Sequence, residues 1–161
     1  MTKDYKFTFI NMKLEHMYGP KDNFSKFIPF LIENMLRNKE EIKLTRGEQE
    51  RDFIYIDDVV SAYIVILKNI SQFNKKFYDI EVGTGISIKI RDVSNLIKKL
   101  CNSTTKLKFG ALPYRKNEVM KSYANPVFLK KIGWSPLINI KEGLERTISY
   151  YKKRMGGKNG K

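Results

Sequence analysis

The feature that most constrains the fold of this chain is the alternation of single short strands with amphipathic helices. Residues 7–14 (FTFINMKL) alternate well enough to predict a strand, and apolar residues at helical spacing predict a helix from Ser25 to about Asn38. Residues 42–56 predict two extended pieces around a turn at Gly47. Such alternation is typical of the α/β class.

The second part of the chain continues the pattern. Residues 76–85 (KFYDIEVGTG) predict a strand that ends in glycines. Further helices are predicted over residues 57–67, 92–100, 125–133 and 139–153. Asp57 is the expected N-cap of the first of these helices. Each predicted strand is isolated between helices, and the strands are too few for a comfortable sheet of their own.

The net charge of +14 narrows the possible partners. A chain of 161 residues suffices for one domain with a modest core. Base readout favours arginine, whereas this chain uses mostly lysine and spreads its lysines out. Nucleic-acid binding is therefore disfavoured. Two explanations of the positive charge stay open: a compositional drift towards lysine, and the binding of a small polyanionic ligand by part of that charge.

Cysteine and histidine usage restricts location and metal chemistry. Cys101 is the single cysteine, which excludes a disulfide framework and fits a cytoplasmic location. With one histidine, a zinc site built on His and Cys is excluded as well, so no metal site is predicted. The first residues lack the apolar core of a secretory signal, and no apolar run reaches bilayer length, so no membrane contact is expected.

Residues 47–60 (GEQERDFIYIDDVV) place charges on both sides of an apolar strand. A strand needs no charged residues at its start, whereas a binding site uses them. The guanidinium of Arg51 suits two phosphate oxygens at once. The alternative is a surface arginine paired with Asp52 or Glu48.

Several motifs, taken in order, carry a resemblance to a known family. They are YGP at residues 18–20, KFIPFLI at 26–32, RDFIYIDD at 51–58, FYDIEVGTG at 77–85 and IGWSP at 132–136. This order resembles the C-terminal half of an extended short-chain dehydrogenase/reductase, in the NAD-dependent epimerase/dehydratase group that acts on nucleotide sugars. EHMYGPKDN and LPYRKNEVM look closest to the reductase branch that makes CDP-linked dideoxysugars (abequose or paratose synthase-like).

The resemblance implies the fold and the domain layout. Residues 1–151 would form the substrate-binding half, with the N-terminal Rossmann half absent, and residues 152–161 a basic disordered tail. In relatives, the strands at residues 7–14 and 77–83 join the sheet of the Rossmann half. Here they would be orphan strands of an incomplete Rossmann sheet, with exposed edges that can pair with another chain.

Two expected features of the family are missing from the sequence. No G-x-x-G-x-x-G or G-x-G-x-x-G turn occurs, and no Tyr-x-x-x-Lys pair follows the start. The family implies NAD or NADP, but neither is expected to bind this chain alone, and no catalytic residue is assigned. The chain is expected to be inactive alone. The alternative is a non-enzymatic module that docks on a separate Rossmann-domain chain or forms a homo-oligomer.

The resemblance also implies substrate-binding residues for a nucleotide-diphosphate sugar. They are His16, Asn23, Lys26, Arg51, Asp58 and Arg115. Arg51 and Arg115 would hold the diphosphate. Asn23 and Lys26 open a helix where relatives contact the nucleotide. His16 lies just after the first strand, at a junction that faces the nicotinamide and the sugar in relatives. Asp58 either orders the loop beside the site or, with Asp57, favours the start of its helix.

Overall fold

The computed structural model describes residues 7–156, and its elements alternate as the α/β class requires. The strands are β1 (Phe9–Leu14), β2 (His16–Tyr18), β3 (Glu41–Leu44), β4 (Glu50–Tyr55), β5 (Phe77–Val82), β6 (Ser87–Lys89), β7 (Lys106–Phe109) and β8 (Lys121–Ser122). The helices are α1 (Phe27–Leu36), α2 (Ile56–Lys68), α3 (Ile90–Cys101), α4 (Val127–Lys131) and α5 (Ile140–Gly156), with a short 3₁₀ turn at Ile70–Gln72. The predicted fold class is confirmed.

The strands form three small sheets. β1 pairs with β5 in parallel, and β3 pairs with β7 in parallel. The third sheet centres on β4, which pairs with β2 and β8 in parallel and with β6 antiparallel. The strands that the sequence predicted to be isolated therefore do have partners. Four of these partner strands, β2, β6, β7 and β8, are only two to four residues long. Such short strands leave no periodic pattern to read in a sequence.

β1 and β5 bear out the expectation of an incomplete sheet. They pair with each other, and within residues 7–156 neither strand pairs with another strand on its outer side. Parallel sheets are normally covered and extended by further βα units. A two-stranded parallel ladder is therefore only a partial sheet, as the fold class predicted.

β4 is the centre of the fold because its side chains enter two different cores. Phe53 and Tyr55 belong to a core formed with α1, α3 and α5. Ile54 belongs to a second core formed with α2, β5 and Trp134. Successive side chains of a strand point to opposite faces, so an apolar run at this position must be buried on both sides.

A single buried carboxylate ties β4 to its neighbours. Asp52 is fully buried and accepts hydrogen bonds from the backbone N–H groups of Thr84 (3.0 Å), Gly85 (2.8 Å) and Ala124 (3.3 Å). The hydroxyl of Thr84 donates a fourth bond at 2.6 Å. A Cβ at Gly83 would lie 2.5 Å from this carboxylate, which explains the glycine. Asp52 therefore joins β4 to the loop after β5 and to the segment after β8.

Two sequence predictions about helix ends were wrong. Asp57 is not the N-cap of α2, since Tyr55 holds that position and Asp57 lies in the first turn. The last residue of β4, Tyr55, has the extended backbone of an N-cap, so the helix begins two residues earlier than predicted and has no side-chain cap. α5 continues to Gly156, so residues 152–156 are helical rather than a disordered tail. Buried Tyr151 carries the helix onwards by donating its hydroxyl to the carbonyl of Asp22 at 2.9 Å. The remainder of the predicted tail, 157–161, lies outside the described residues.

We expect Asp52→Asn to lower the free energy of unfolding by about 1–3 kcal/mol, because an amide group would face buried donors that then lack an acceptor. Urea denaturation followed by circular dichroism measures the change. Asp57→Asn is the matched control: it alters an exposed acid of the same region and should shift stability by less than about 0.5 kcal/mol. Equal stability of Asp52→Asn and wild type would contradict this role of Asp52.

Cys101, the only cysteine, gives a probe of folding. It lies buried at the end of α3, and burial raises the pKa of its thiol to about 11. Since the thiolate is the reactive form, we expect a disulfide reagent such as DTNB to label the native chain far more slowly at pH 8 than the chain in guanidinium chloride. Equal labelling rates in the two conditions would show that the thiol is not protected.

Candidate functional site

Two adjoining cavities open between α1 and the ends of β2 and β4. The first has a volume of about 400 Å³ and the second about 530 Å³. They share three lining residues, His16, Phe27 and Phe53. His16 is the first residue of β2, one residue after the end of β1, and its ring packs in a T-shaped arrangement on Phe53 with the ring centroids 5.8 Å apart. A ligand that spans both cavities would therefore pass His16.

The first cavity is mostly apolar, with two polar pairs in its wall. The carboxylate of Glu15 accepts a hydrogen bond from the hydroxyl of Ser122 at 3.0 Å and lies 3.4 Å from Nδ1 of His16. The ammonium of Lys26 lies 2.9 Å from Asp22. Burial raises the pKa of Tyr18, also in this wall, far above its usual value. This favours the neutral phenol of Tyr18.

The second cavity carries the charge. Its wall includes three basic residues, Lys43, Arg51 and Arg115, and one acid, Glu118. Its apolar wall is formed by Phe27, Phe30, Leu44, Phe53, Ile90, Leu112 and Pro113, and Thr45 and Gln49 add a hydrogen-bonded polar pair. Three cations against one carboxylate make this cavity attractive to anions. An apolar cavity with a few converging polar groups is the usual form of a small-molecule site.

Arg51 is held in the second cavity by two contacts. Its Nη1 donates to the carbonyl of Glu50 at 2.8 Å, and its Nη2 donates to Glu118 at 2.6 Å. The side chains of Arg51 and Glu118 are only 12% and 17% exposed. The structure thus supplies a partner for Arg51 other than the two acids that the sequence offered, since Asp52 turns to the loop after β5.

The other charges at the start of β4 pair with lysines of neighbouring strands. Lys89 of β6 donates to Glu48 at 2.9 Å and holds the pKa of that carboxyl below its usual value. The hydroxyl of Ser87 and then Lys121 do the same for the pKa of Glu50. Glu48 is exposed and Glu50 is half-buried, and neither lines the second cavity. Arg51 is therefore the charged residue of this motif that faces the cavity.

The structure brings together four of the six residues predicted to bind substrate. His16, Lys26, Arg51 and Arg115 line the two cavities. Asn23 does not line them: its side-chain oxygen accepts the N–H of Ser25 at 2.9 Å in the loop before α1. Whether these residues bind a substrate stays a prediction.

Asp58 lies away from the cavities. It is buried, and its two oxygens accept the N–H groups of Leu137 (2.9 Å) and Ile138 (3.0 Å). It therefore orders the loop before α5, and its predicted part in substrate binding stays a prediction.

Sequence reasoning missed Lys43 as a residue of the site, and it missed the contact between Glu15 and Ser122. Lys43 lies between buried Ile42 and Leu44 on β3 and looks like the exposed side of any short strand. Glu15 stands between two strands and reaches Ser122, which is 107 residues away in the sequence. No local pattern predicts either finding, so only the folded chain shows that Lys43 lines the second cavity and that Glu15 meets Ser122.

The glycines at residues 83–85 do not fit a dinucleotide. A phosphate-binding turn keeps its N–H groups free for the ligand. Here the N–H groups of Thr84 and Gly85 donate to Asp52, and the space beside Gly83 is filled by Asp52 and Ala124. This turn binds an internal carboxylate instead.

Residues 7–156 lack two features, a metal-binding cluster and a membrane-spanning helix. No group of three or more His, Cys, Asp or Glu side chains is placed to hold a metal ion. None of the helices described combines the length and apolar character needed to cross a bilayer.

A family model, curated proteins and solved structures match this chain. A model of the NAD dependent epimerase/dehydratase family matches residues 1–83, slightly more than half of the chain. The chain belongs to this family.

Curated relatives narrow the comparison within the family. The chain is 48% identical over 141 residues to CDP-abequose synthase of Salmonella muenchen, which covers 88% of this chain and 47% of the relative. It is 40% identical over 143 residues to CDP-abequose synthase of Salmonella typhimurium, covering 88% of this chain and 48% of the relative. The chain thus spans about half the length of the curated relatives it matches.

Solved structures agree with the fold. The UDP-glucose 4-epimerase of Thermotoga maritima, determined with UDP-glucose, superposes with a TM-score of 0.80 at 26% identity, over 94% of this chain and 48% of that one. The UDP-glucose 4-epimerase of Thermus thermophilus, determined with NAD, gives 0.79 at 21% identity, over 92% and 48%. The fold is that of part of an extended short-chain dehydrogenase/reductase, as the sequence predicted.

Proposed function

We propose that these residues form the nucleotide-diphosphate-sugar binding part of an NAD(P)-dependent sugar-nucleotide epimerase, dehydratase or reductase. The observation that carries the proposal is the second cavity, where Lys43, Arg51 and Arg115 converge on an apolar-walled space of about 530 Å³. A diphosphate suits the cations, and the apolar walls suit a base and ribose. Part of the +14 charge then serves a small polyanion rather than a nucleic acid.

The two cavities divide the ligand between them. Arg51, fixed by β4, presents a planar group that can hold two phosphate oxygens, and Arg115 approaches from the opposite loop. From there the sugar would pass His16 into the first cavity, beside Lys26. Binding energy from the nucleotide end then positions the sugar, which is how remote contacts contribute to catalysis. Asn23 and Asp58 act by shaping the loops around the site.

The base and the pathway are proposed from the curated relatives. Two of them are named CDP-abequose synthases, and they match at 48% and 40% identity. We therefore propose a CDP-linked sugar as the ligand, in carbohydrate biosynthesis such as that of a lipopolysaccharide O-antigen. A cytoplasmic location is part of the same proposal.

We propose that these 161 residues bind the sugar nucleotide but do not transfer hydride on their own. None of the nine tyrosines is followed four residues later by lysine, and the glycine turn at residues 83–85 already holds Asp52. The proposed role of this chain's own residues is to hold and orient the sugar nucleotide, while the hydride chemistry requires residues outside this set. NAD or NADP is not proposed to bind to this chain alone.

Arg51→Met tests the diphosphate contact. We expect the variant to bind CDP at least about tenfold more weakly than wild type by calorimetry, because a charge-assisted pair of hydrogen bonds is lost. Arg37→Met is the matched control: it removes an exposed arginine at the end of α1 and should leave CDP affinity unchanged. Wild-type protein that fails to bind CDP or UDP, or equal binding by both variants, would contradict the proposal.

A second candidate function is a docking module for a separate Rossmann-domain chain. The observation that favours it is the open β1–β5 ladder, where Phe9 and Phe77 stack at 5.6 Å and are each more than half exposed. An exposed apolar stripe on α2 points the same way; its members are Val60, Tyr63, Ile64 and Leu67. Open strand edges and apolar faces are stabilised by further strands and helices.

This second function is tested by co-expression with the portion of the Salmonella muenchen CDP-abequose synthase that the chain does not match. We expect the two polypeptides to co-purify, and Phe77→Lys to weaken the complex because it places a charge on the docking edge. Lys75→Ala, on the exposed loop before β5, is the control. A stable, monodisperse monomer that ignores the second polypeptide would count against docking.

A further inference from the structure

The exposed face of the β3–β7 ladder carries a row of basic side chains next to the second cavity. We propose that this basic strip, formed by Lys43, Arg46, Lys106 and Lys108, steers anionic ligands into the second cavity. The inference deepens the proposed function and rests on it, because it concerns how the sugar nucleotide reaches that cavity. It assigns a role to surface charge that lines neither cavity.

The strand register places two lysines directly opposite each other. Lys43 of β3 is the partner of Lys108 of β7, and both residues are exposed. The preceding pair of the ladder, Glu41 with Lys106, has opposite charges. Opposite charges across neighbouring strands stabilise a sheet, whereas like charges directly opposite each other destabilise it. The pair of lysines therefore costs stability and does not help the fold.

The like-charged pair is the one beside the cavity. The cavity wall includes Lys43 and the two residues that follow it, whereas Glu41 and Ile42 do not line the cavity. The pair of opposite charges therefore lies farther from the cavity than the pair of lysines. The ammonium of Lys43 lies 4.0 Å from the carboxylate of Glu41, and this single acid faces three lysines on the ladder. Three lysines and one glutamate leave a net charge of +2 on this face.

Backbone hydrogen bonds fix the position of Lys108 relative to the cavity. After β7, the N–H of Gly110 donates to the carbonyl of Thr45 at 3.1 Å. The N–H of Leu112 then donates to the carbonyl of Leu44, also at 3.1 Å. Leu112 itself lines the second cavity. The strand that carries Lys108 therefore continues into the cavity wall, and its ammonium group extends from a backbone that is held next to the cavity.

Arg46 adds a further cation at the same end of the ladder. It is exposed, and its Cγ would lie 3.8 Å from a Cβ at Gly110, so its side chain covers the turn after β7. Among residues 7–156, no carboxylate lies within 4.0 Å of Arg46 or Lys108, whereas nearby Arg91 is paired with Glu48. Charges of one sign along a cleft concentrate counter-ions and raise their association rate. The basic strip therefore keeps charge that attracts an anion before contact.

Lys108→Glu separates steering from direct contact, because it reverses a charge that does not line the cavity. Association and dissociation rates are measured by stopped-flow fluorescence with N-methylanthraniloyl-CDP. We expect K108E to slow association about fivefold at about 20 mM salt, and less than about twofold at about 500 mM salt, where exposed charges are screened. The dissociation rate should change by less than about twofold, as is usual for a charge at the rim of a site.

Lys75→Glu is the matched control, because it makes the same change of charge in the exposed loop before β5. The opposite end of β5 pairs with Leu14, which lines the first cavity. A strand of six residues, about 20 Å long, therefore separates Lys75 from the cavities. We expect K75E to change the association rate by less than about twofold at each salt concentration.

Thermal unfolding gives a measurement that moves in the opposite direction. K108E replaces two like charges by an ion pair between β3 and β7, so its Tm should rise by about 2 °C although association slows. Lys108→Gln removes the charge without giving Lys43 a partner, and it should slow association about twofold at about 20 mM salt. A Tm of K108E at or below that of wild type would contradict the cost of the lysine pair.

The outcomes distinguish steering from the proposed function. Unchanged association by K108E, or slowing that persists at high salt, would overturn steering alone when wild type still binds CDP. A dissociation rate that rises as much as the association rate falls would show direct contact and overturn steering as well. Absence of CDP binding by wild type would overturn the proposed function and the steering role with it.

Discussion

The carboxylate of Asp52 is the contact on which the arrangement of this molecule depends. It is fully buried in β4 and collects four hydrogen bonds from the loops that follow β5 and β8. Its neighbour Arg51 points to the other side of the strand, into the charged cavity. Because adjacent strand residues face opposite ways, the bonds that fix Asp52 also fix the backbone from which Arg51 extends.

The same strand, β4, contributes side chains both to the two cores and to the walls of the two cavities. Phe53 and Tyr55 enter one core, Ile54 enters the other, and Phe53 also forms the common wall of the two cavities. The cations gather where β3, β4 and the loop before β8 meet, and one of them is held by Glu118. The carboxylate of Glu118 therefore offsets part of the positive charge of the cavity in which it lies.

The longer elements and their order could be predicted, because a helix of ten or more residues or a strand of six carries a full period of apolar and polar positions. The helix starts were less certain. α2 follows β4 with no intervening turn, so the acids at residues 57 and 58 lie inside the helix rather than capping it. Asp58 uses its position to hold the loop before α5, a role that depends on residues 79 and 80 positions away.

The motif at residues 47–60, its strand and the resemblance to nucleotide-sugar enzymes were all determined by local order along the chain. The tertiary structure alone decided which acid meets Arg51, since Glu118 is 67 residues away and belongs to a loop without a periodic pattern. It also decided that the glycines at 83–85 enclose Asp52, and that Lys43 shares a cavity with Arg115. The physical reason is that a hydrogen bond or ion pair between distant residues depends on where packing places their backbones, and sequence spacing does not record that.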